Sequence, residues 1–115
     1  MADEKTSVSD LKRVISEFVK KRDWEKFHNP KDLAISLSIE SGELLELFQW
    51  RSLEDIDIGG EETVNRVREE LADIIIYALS LANATSIDIS DAVLEKIEKN
   101  EARYPVEEWK GKAWL

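Results

Sequence analysis

The chain has 115 residues, 43% of them hydrophobic and 36% charged, with a formal net charge of −9. This balance suits one soluble globular domain, and the acidic excess argues against a nucleic-acid polymer as partner, since phosphate backbones require a basic surface. Cysteine is absent, which removes disulfides, zinc–thiolate sites and cysteine nucleophiles. The first ten residues lack the apolar core of a signal peptide, and no apolar run approaches the roughly 18 residues of a membrane span. The expectation is a cytoplasmic protein with no membrane partner.

The pattern is helical throughout. A first helix is expected from about Val8 or Ser9 to Trp24, on the stripe Leu11, Val14, Ile15, Phe18 and Val19. Phe27-His28-Asn29-Pro30 breaks it, and Pro30 suits the start of a second helix running to about Trp50. Leu33, Leu37, Leu44, Leu45, Leu47 and Phe48 supply its apolar contacts. Arg51 to Gly60 is an acidic connection closed by Gly59-Gly60. A third helix follows from about Glu61 to Ala84, with Val64, Val67, Leu71, Ile74, Ile75 and Ala78 in helical period. Ile74-Ile75-Ile76 resembles a strand locally, but its neighbours keep the helical repeat. Asp88 is placed to cap a fourth helix from about Ile89 to Ala102 or Arg103, with Asp91 as a capping-box-like partner. The core domain is expected over about 8–105, and the weakly patterned tail 106–115 carries Trp109 and Trp114, which suggest docking. Short connections between amphipathic helices imply an all-α, four-helix bundle. Apolar stripes on several faces imply that copies of the chain complete it by oligomerisation.

Four acids stand out in this frame. Glu40 and Glu43 share one helix face, as do Glu70 and Asp73, because a spacing of three is about one turn. The midpoint of Glu43 and Glu70 falls between Ile56 and Asp57, and so does that of Glu40 and Asp73. An antiparallel hairpin of the two helices therefore brings both pairs to one height. Carboxylates facing across a seam repel unless a cation joins them. Oxygen ligands suit magnesium or manganese, and no histidine accompanies them to favour iron or zinc. The plainer alternative is a pair of solvated helix faces in a chain with 25 acids.

The surroundings add to the cation reading. Ser38, Ser41 and Gly42 beside the first pair, and Ala72 beside the second, permit close helix approach. Trp50 lies seven residues after Glu43 and Tyr77 four after Asp73, so each aromatic shares a face with its acids. Metal-bound phosphates beside aromatic planes describe a nucleotide site; ordinary core packing is the alternative for either ring. On the fourth helix, Lys96, Asn100 and Arg103 form one polar stripe, suited either to phosphates or to a solvated helix end. His28 reads as a hydrogen-bonded turn residue rather than a catalytic base.

Ile39-Glu40-Ser41-Gly42-Glu43-Leu44, then Phe48-Gln49-Trp50, Glu69-Glu70-Leu71-Ala72-Asp73-Ile74 and Tyr77 resemble the all-α nucleotide pyrophosphohydrolases of the MazG-like superfamily. Arg22-Asp23-Trp24-Glu25-Lys26-Phe27-His28 and the stretch from Asn100 to Pro105 resemble its dCTP pyrophosphatase branch. The resemblance implies hydrolysis of a nucleoside triphosphate to monophosphate and pyrophosphate. It implies that Glu40, Glu43, Glu70 and Asp73 hold the catalytic magnesium, with Trp24, Trp50 and Tyr77 around the base. Lys96, Asn100 and Arg103 resemble the phosphate-contacting set, which can come from a neighbouring subunit, and the implied assembly is a homotetramer of two dimers. Ile15 departs from the pattern, because some cytosine-specific relatives carry histidine there. The competing reading is a non-catalytic helical module that binds a nucleotide or a protein.

Overall fold

The computed structural model describes residues 1–55 and 60–113, and all regular structure among them is helical. The helices are α1 (Val8–Lys21), α2 (Pro30–Glu46), α3 (Glu61–Thr85), α4 (Ile89–Arg103) and a short α5 (Val106–Trp109). Three-residue 3-10 turns occur at Ala2–Glu4, Glu25–Phe27 and Leu53–Asp55. No single helix among the described residues is long and apolar enough to cross a membrane.

Local chemistry sets the ends. Ser7 and Asp10 form a reciprocal capping box at the start of α1, each side chain accepting from the other's backbone N–H at 3.0 Å. Asn29 caps α2 by accepting from the Asp32 N–H at 2.9 Å, with Pro30 in the first turn. Asp88 caps α4 in the same way through the Asp91 N–H, also at 2.9 Å. Two helices end sooner than their apolar stripes predict. After Lys21 the Arg22 N–H turns back to Val19 O, and Asp23 adopts φ 55, so Trp24 falls outside α1. Asp tolerates this left-handed region because its short side chain bonds locally. At the end of α2 the bonds tighten, Leu47 N–H to Leu44 O and Phe48 N–H to Leu45 O, and Trp50 takes φ 66. α3 keeps its period for 25 residues, through the three isoleucines, until Ser86 turns left-handed at φ 56.

α2 and α3 form the main packed pair. They run antiparallel: Leu47 and Arg51, after α2, meet Glu62, Thr63 and Arg66 at the start of α3. α1 lies against the far half of α3, tied by Lys12 Nζ donating to Ile87 O at 2.9 Å and Asn83 Nδ2 donating to Lys12 O at 3.1 Å. α4 departs at 102° from α3 and packs extensively against none of the other helices. In the tail, Trp109 docks edge-on against Tyr104 with ring centroids 5.0 Å apart. Trp114 lies outside the described residues.

The buried apolar core is small: Val19, Leu33, Leu79 and Ala82 among the described residues. The radius of gyration is 17.4 Å, against about 13 Å for a compact domain of this length. The chain exposes 9454 Å², whereas a compact monomer of its mass exposes about 6,400 Å². One copy alone is therefore an open arrangement with about 3,000 Å² more surface than its mass warrants.

Leu33 is 2% exposed and anchors α2 in that core. Leu33→Ala should destabilise the protein by about 2–5 kcal/mol, read as a lower midpoint in urea unfolding. A loss under about 1 kcal/mol would mean that the core lies elsewhere.

Candidate metal centre and adjoining cavity

The acids occupy the packed side of the hairpin. Leu33, Leu37, Glu40, Leu44 and Leu47 follow one helical face of α2, so Glu40 stands where an apolar contact would be expected. One carboxylate oxygen from each of Glu40, Glu43 and Glu70 lies within 4.8 Å of the others. Asp73 is outside that trio, yet close enough for its charge to act on both Glu40 and Glu70. Glu43 is exposed while the other three are half-buried.

Two oxygens, Glu40 Oε2 and Glu70 Oε2, are closed off from solvent with no hydrogen-bond partner among the described residues. Burial is the largest cause raising both carboxyls above their ordinary 4.5; Glu43, Asp73 and, for Glu40, Glu70 add like charge. Leaving buried acceptors unmatched is costly, and a divalent cation is the group whose chemistry fits them. Oxygens around magnesium are separated by roughly 2.9–4.2 Å, given metal–oxygen distances near 2.1 Å. A trio spread over 4.8 Å needs only small side-chain adjustment to meet that.

Along α3 the acids lead to a cavity. Tyr77 sits one turn beyond Asp73, and with Trp24, Phe18, His28, Ile76 and Ser80 it lines a space of about 240 Å³. Trp24 is held there by an edge-to-face contact with Phe18 at 5.9 Å. Above them the Arg22 guanidinium stacks 3.7 Å from the Phe18 centroid and donates to Phe18 O at 3.0 Å. A second cavity of about 300 Å³ shares Ile15, Val19, His28 and Ser80 with the first and is bordered by Lys20, Glu25 and Asn83. His28 does close a turn, its N–H donating to Glu25 O at 3.1 Å, but the residue also borders both spaces.

Other expected neighbours are elsewhere in the single chain. Trp50 is 93% exposed and does not line the aromatic cavity. It shares no face with Glu43, because α2 has ended four residues earlier. Gly42 has open space where a Cβ would stand, so it mediates no close helix approach. Ser38, Ser41 and Ala72 are likewise exposed, since their positions turn away from the α2–α3 seam. Lys96, Asn100 and Arg103 ride on α4, and no ion pair joins them to the acids among the described residues. Phe18 and Ser80 were not singled out by spacing arguments. Ser80 could have been, since it falls three residues after Tyr77 and seven after Asp73 on the same face.

An antiparallel helical hairpin with a carboxylate cluster at mid-height and an aromatic cavity beside it defines an all-α protein with an acidic, cation-suited centre. Comparisons place that class. The MazG-like family matches residues 35–113. The dCTP pyrophosphatase 1 of Mus musculus is 40% identical over 111 residues, covering 93% of this chain and 64% of the relative. That of Homo sapiens is 42% identical over 103 residues, covering 86% and 59%. The chain thus spans less than two thirds of the length of these curated relatives. A pyrophosphatase from Archaeoglobus fulgidus, known from its crystal structure, aligns with a TM-score of 0.78 and 45% identity over 84% of this chain and 91% of that one. This protein belongs to the MazG-like family and is related to its dCTP pyrophosphatase branch.

The raised carboxyls have a thermodynamic signature. The folded state retains protons on Glu40 and Glu70 above pH 4.5 that the unfolded chain has released, so their contribution to stability falls as pH rises from there. In chelator, the melting temperature should carry a downward slope between pH 4.5 and neutrality that Glu40→Gln reduces. Magnesium should raise the melting temperature more at pH 7.5 than at pH 5.5, because it competes with those protons. Identical pH profiles for wild type and variant would show that the acids are solvated independently. Asp10 is held low by its capping-box bonds to Ser7 and loses stability only on acidification below 3.8, outside this window.

Proposed function

We propose that the protein is a magnesium-dependent nucleoside triphosphate pyrophosphohydrolase, releasing a monophosphate and pyrophosphate, with dCTP or a modified dCTP the first substrates to try. The observation that carries this is the Glu40–Glu43–Glu70 cluster, in which one oxygen each of Glu40 and Glu70 is buried and unmatched, one to two helical turns from an aromatic cavity. The names of the relatives, dCTP pyrophosphatase 1 and a pyrophosphatase, support the same reaction class. On this reading the described chain works as one domain, with its core over about 8–105.

Glu40, Glu43, Glu70 and Asp73 would hold Mg²⁺, or Mn²⁺ in its place. Such an ion, when bound, would supply charge for the phosphate oxygens and a lowered pKa for a water directed at the α-phosphorus. Carboxylate oxygens of the set left free would accept the water proton. Trp24 and Tyr77 flank the base across the cavity, and positioning does most of the remaining work. Trp50 and the Lys96–Asn100–Arg103 stripe line neither cavity beside the acids, so on this reading their role belongs to an assembly.

That assembly is a second part of the proposal: a homotetramer built as a dimer of dimers. A groove of about 800 Å³ runs between α1 and α3, walled by Leu11, Val14, Val64, Leu71 and Ile75. α4 offers Val93, Leu94 and Ile97, all substantially exposed. Surplus surface of about 3,000 Å² is the scale that obligate interfaces bury. A second copy can cover the groove while bringing its basic stripe towards the phosphates.

Incubation with magnesium and a panel of triphosphates should yield monophosphate and pyrophosphate. Diphosphate plus inorganic phosphate would instead place the attack at the wrong phosphorus. Glu43→Gln should lower turnover by roughly 10²–10³-fold, the scale for removing one group aimed at developing charge, while circular dichroism stays helical. If no triphosphate is cleaved but magnesium and a nucleotide analogue still raise the melting temperature, a binding module is the better description. Light scattering should give about four times the 13.2 kDa of one chain; a monomer would remove the role given to the α4 stripe.

A further inference from the structure

Ser80 is 4% exposed, and its Oγ is shut off from solvent without a hydrogen-bond partner among the described residues. That is unusual for a helical hydroxyl, which ordinarily bonds the carbonyl one turn back. Ser41 and Thr85 in this protein do so, donating to Leu37 O at 2.9 Å and Leu81 O at 2.7 Å. Ser80 instead sits in the wall common to the two cavities, where the ring-lined space of Phe18, Trp24 and Tyr77 meets the polar one bordered by Glu25 and Asn83. A flat ring held among the aromatics would have Ser80 on its perimeter.

The register on α3 fixes which part of a nucleotide reaches it. Glu70, Asp73, Tyr77 and Ser80 follow at spacings of three, four and three, one continuous stripe of the helix. Ser80 lies about 10 Å along the axis from Asp73, so phosphates at the acids leave room for a sugar before the base arrives. We propose that Ser80 reads the nucleobase, its Oγ pairing with a polar atom on the ring edge and making this helix position a specificity determinant. The inference rests on the nucleotide-hydrolase reading and deepens it. A hydroxyl is both donor and acceptor, so burial rather than charge makes it selective. A base that fails to satisfy it leaves a polar group unmatched in a closed space, and sites built that way discriminate strongly.

The test compares wild type with Ser80→Ala on dCTP, dTTP, dATP and dGTP in magnesium. It adds calorimetric titration with the matching monophosphates, and melting temperatures for both proteins. The expected result is a fall of roughly 10- to 100-fold in kcat/KM for the preferred base, carried by KM, with the other bases changed far less. Monophosphate affinities should flatten in parallel. The melting temperature should hold or rise, because the variant removes an unmatched hydroxyl. A uniform loss over all four bases, or an unchanged order of preference, would overturn the assignment and leave Ser80 a packing residue. If wild type hydrolyses no triphosphate, the hydrolase reading fails separately and the titrations decide. Base preference in monophosphate binding that Ser80→Ala abolishes supports the reader, and its persistence in the variant, or its absence from wild type, overturns it.

Discussion

Carboxylates facing one another across the α2–α3 seam are the constraint on which the rest of the molecule turns. The face that carries them is the one that Leu33, Leu37 and Leu44 use to pack α2 onto α3. Packing and repulsion are therefore built into the same surface, and the hairpin cannot tighten one without increasing the other. Burial has already shut off two of the oxygens, so water does not relieve them. The apolar contacts above and below the acids hold the charges where a cation would be rewarded, which is how a helical scaffold preorganises a polar centre.

Much of this was legible in the sequence, and the losses have physical causes. The helix positions and the height match of the acid pairs follow from the 3.6-residue repeat, and neither depends on distant contacts. Trp24 and Trp50 were misplaced relative to their helices because no glycine or proline marks either end. Asp23 and Trp50 adopt left-handed backbone that composition does not announce, and for a bulky tryptophan it is costly. Small residues near the acids suggested close approach, yet Gly42 turns into open space. Size alone does not say which way a helix position points. Ser80, inside the run Ala78-Leu79-Ser80-Leu81-Ala82, reads as filler until its missing partner is seen.

The single chain is unusual in how little it encloses. A radius of gyration of 17.4 Å comes, among the described residues, with only a handful of buried apolar side chains and a fourth helix that packs extensively against none of the others. On α3 the apolar positions Val64, Leu71 and Ile75 fall on the side away from Glu70 and Asp73. Cation chemistry and surface burial thus use different sides of one helix, yet the groove shares Val14, Ile15 and Ile76 with the aromatic cavity, so covering the groove also closes one wall of the site. In the proposed assembly, measured stability would depend on protomer concentration as well as on intrachain contacts.

The 25 residues of α3 also act as a ruler about 37 Å long. Acids, tyrosine and buried serine are set at successive heights on it, and α4 leaves from its far end. Adding or removing one residue between Asp73 and Tyr77 would rotate everything downstream by about 100° and carry the cavity wall away from the acids. Point changes in this stretch cost one contact at a time, but a change of length would dissolve the alignment at a stroke. The described part of the connection after α2, residues 47–55, carries no such stripe of aligned residues, so tolerance to insertions should differ sharply between two neighbouring parts of one small chain.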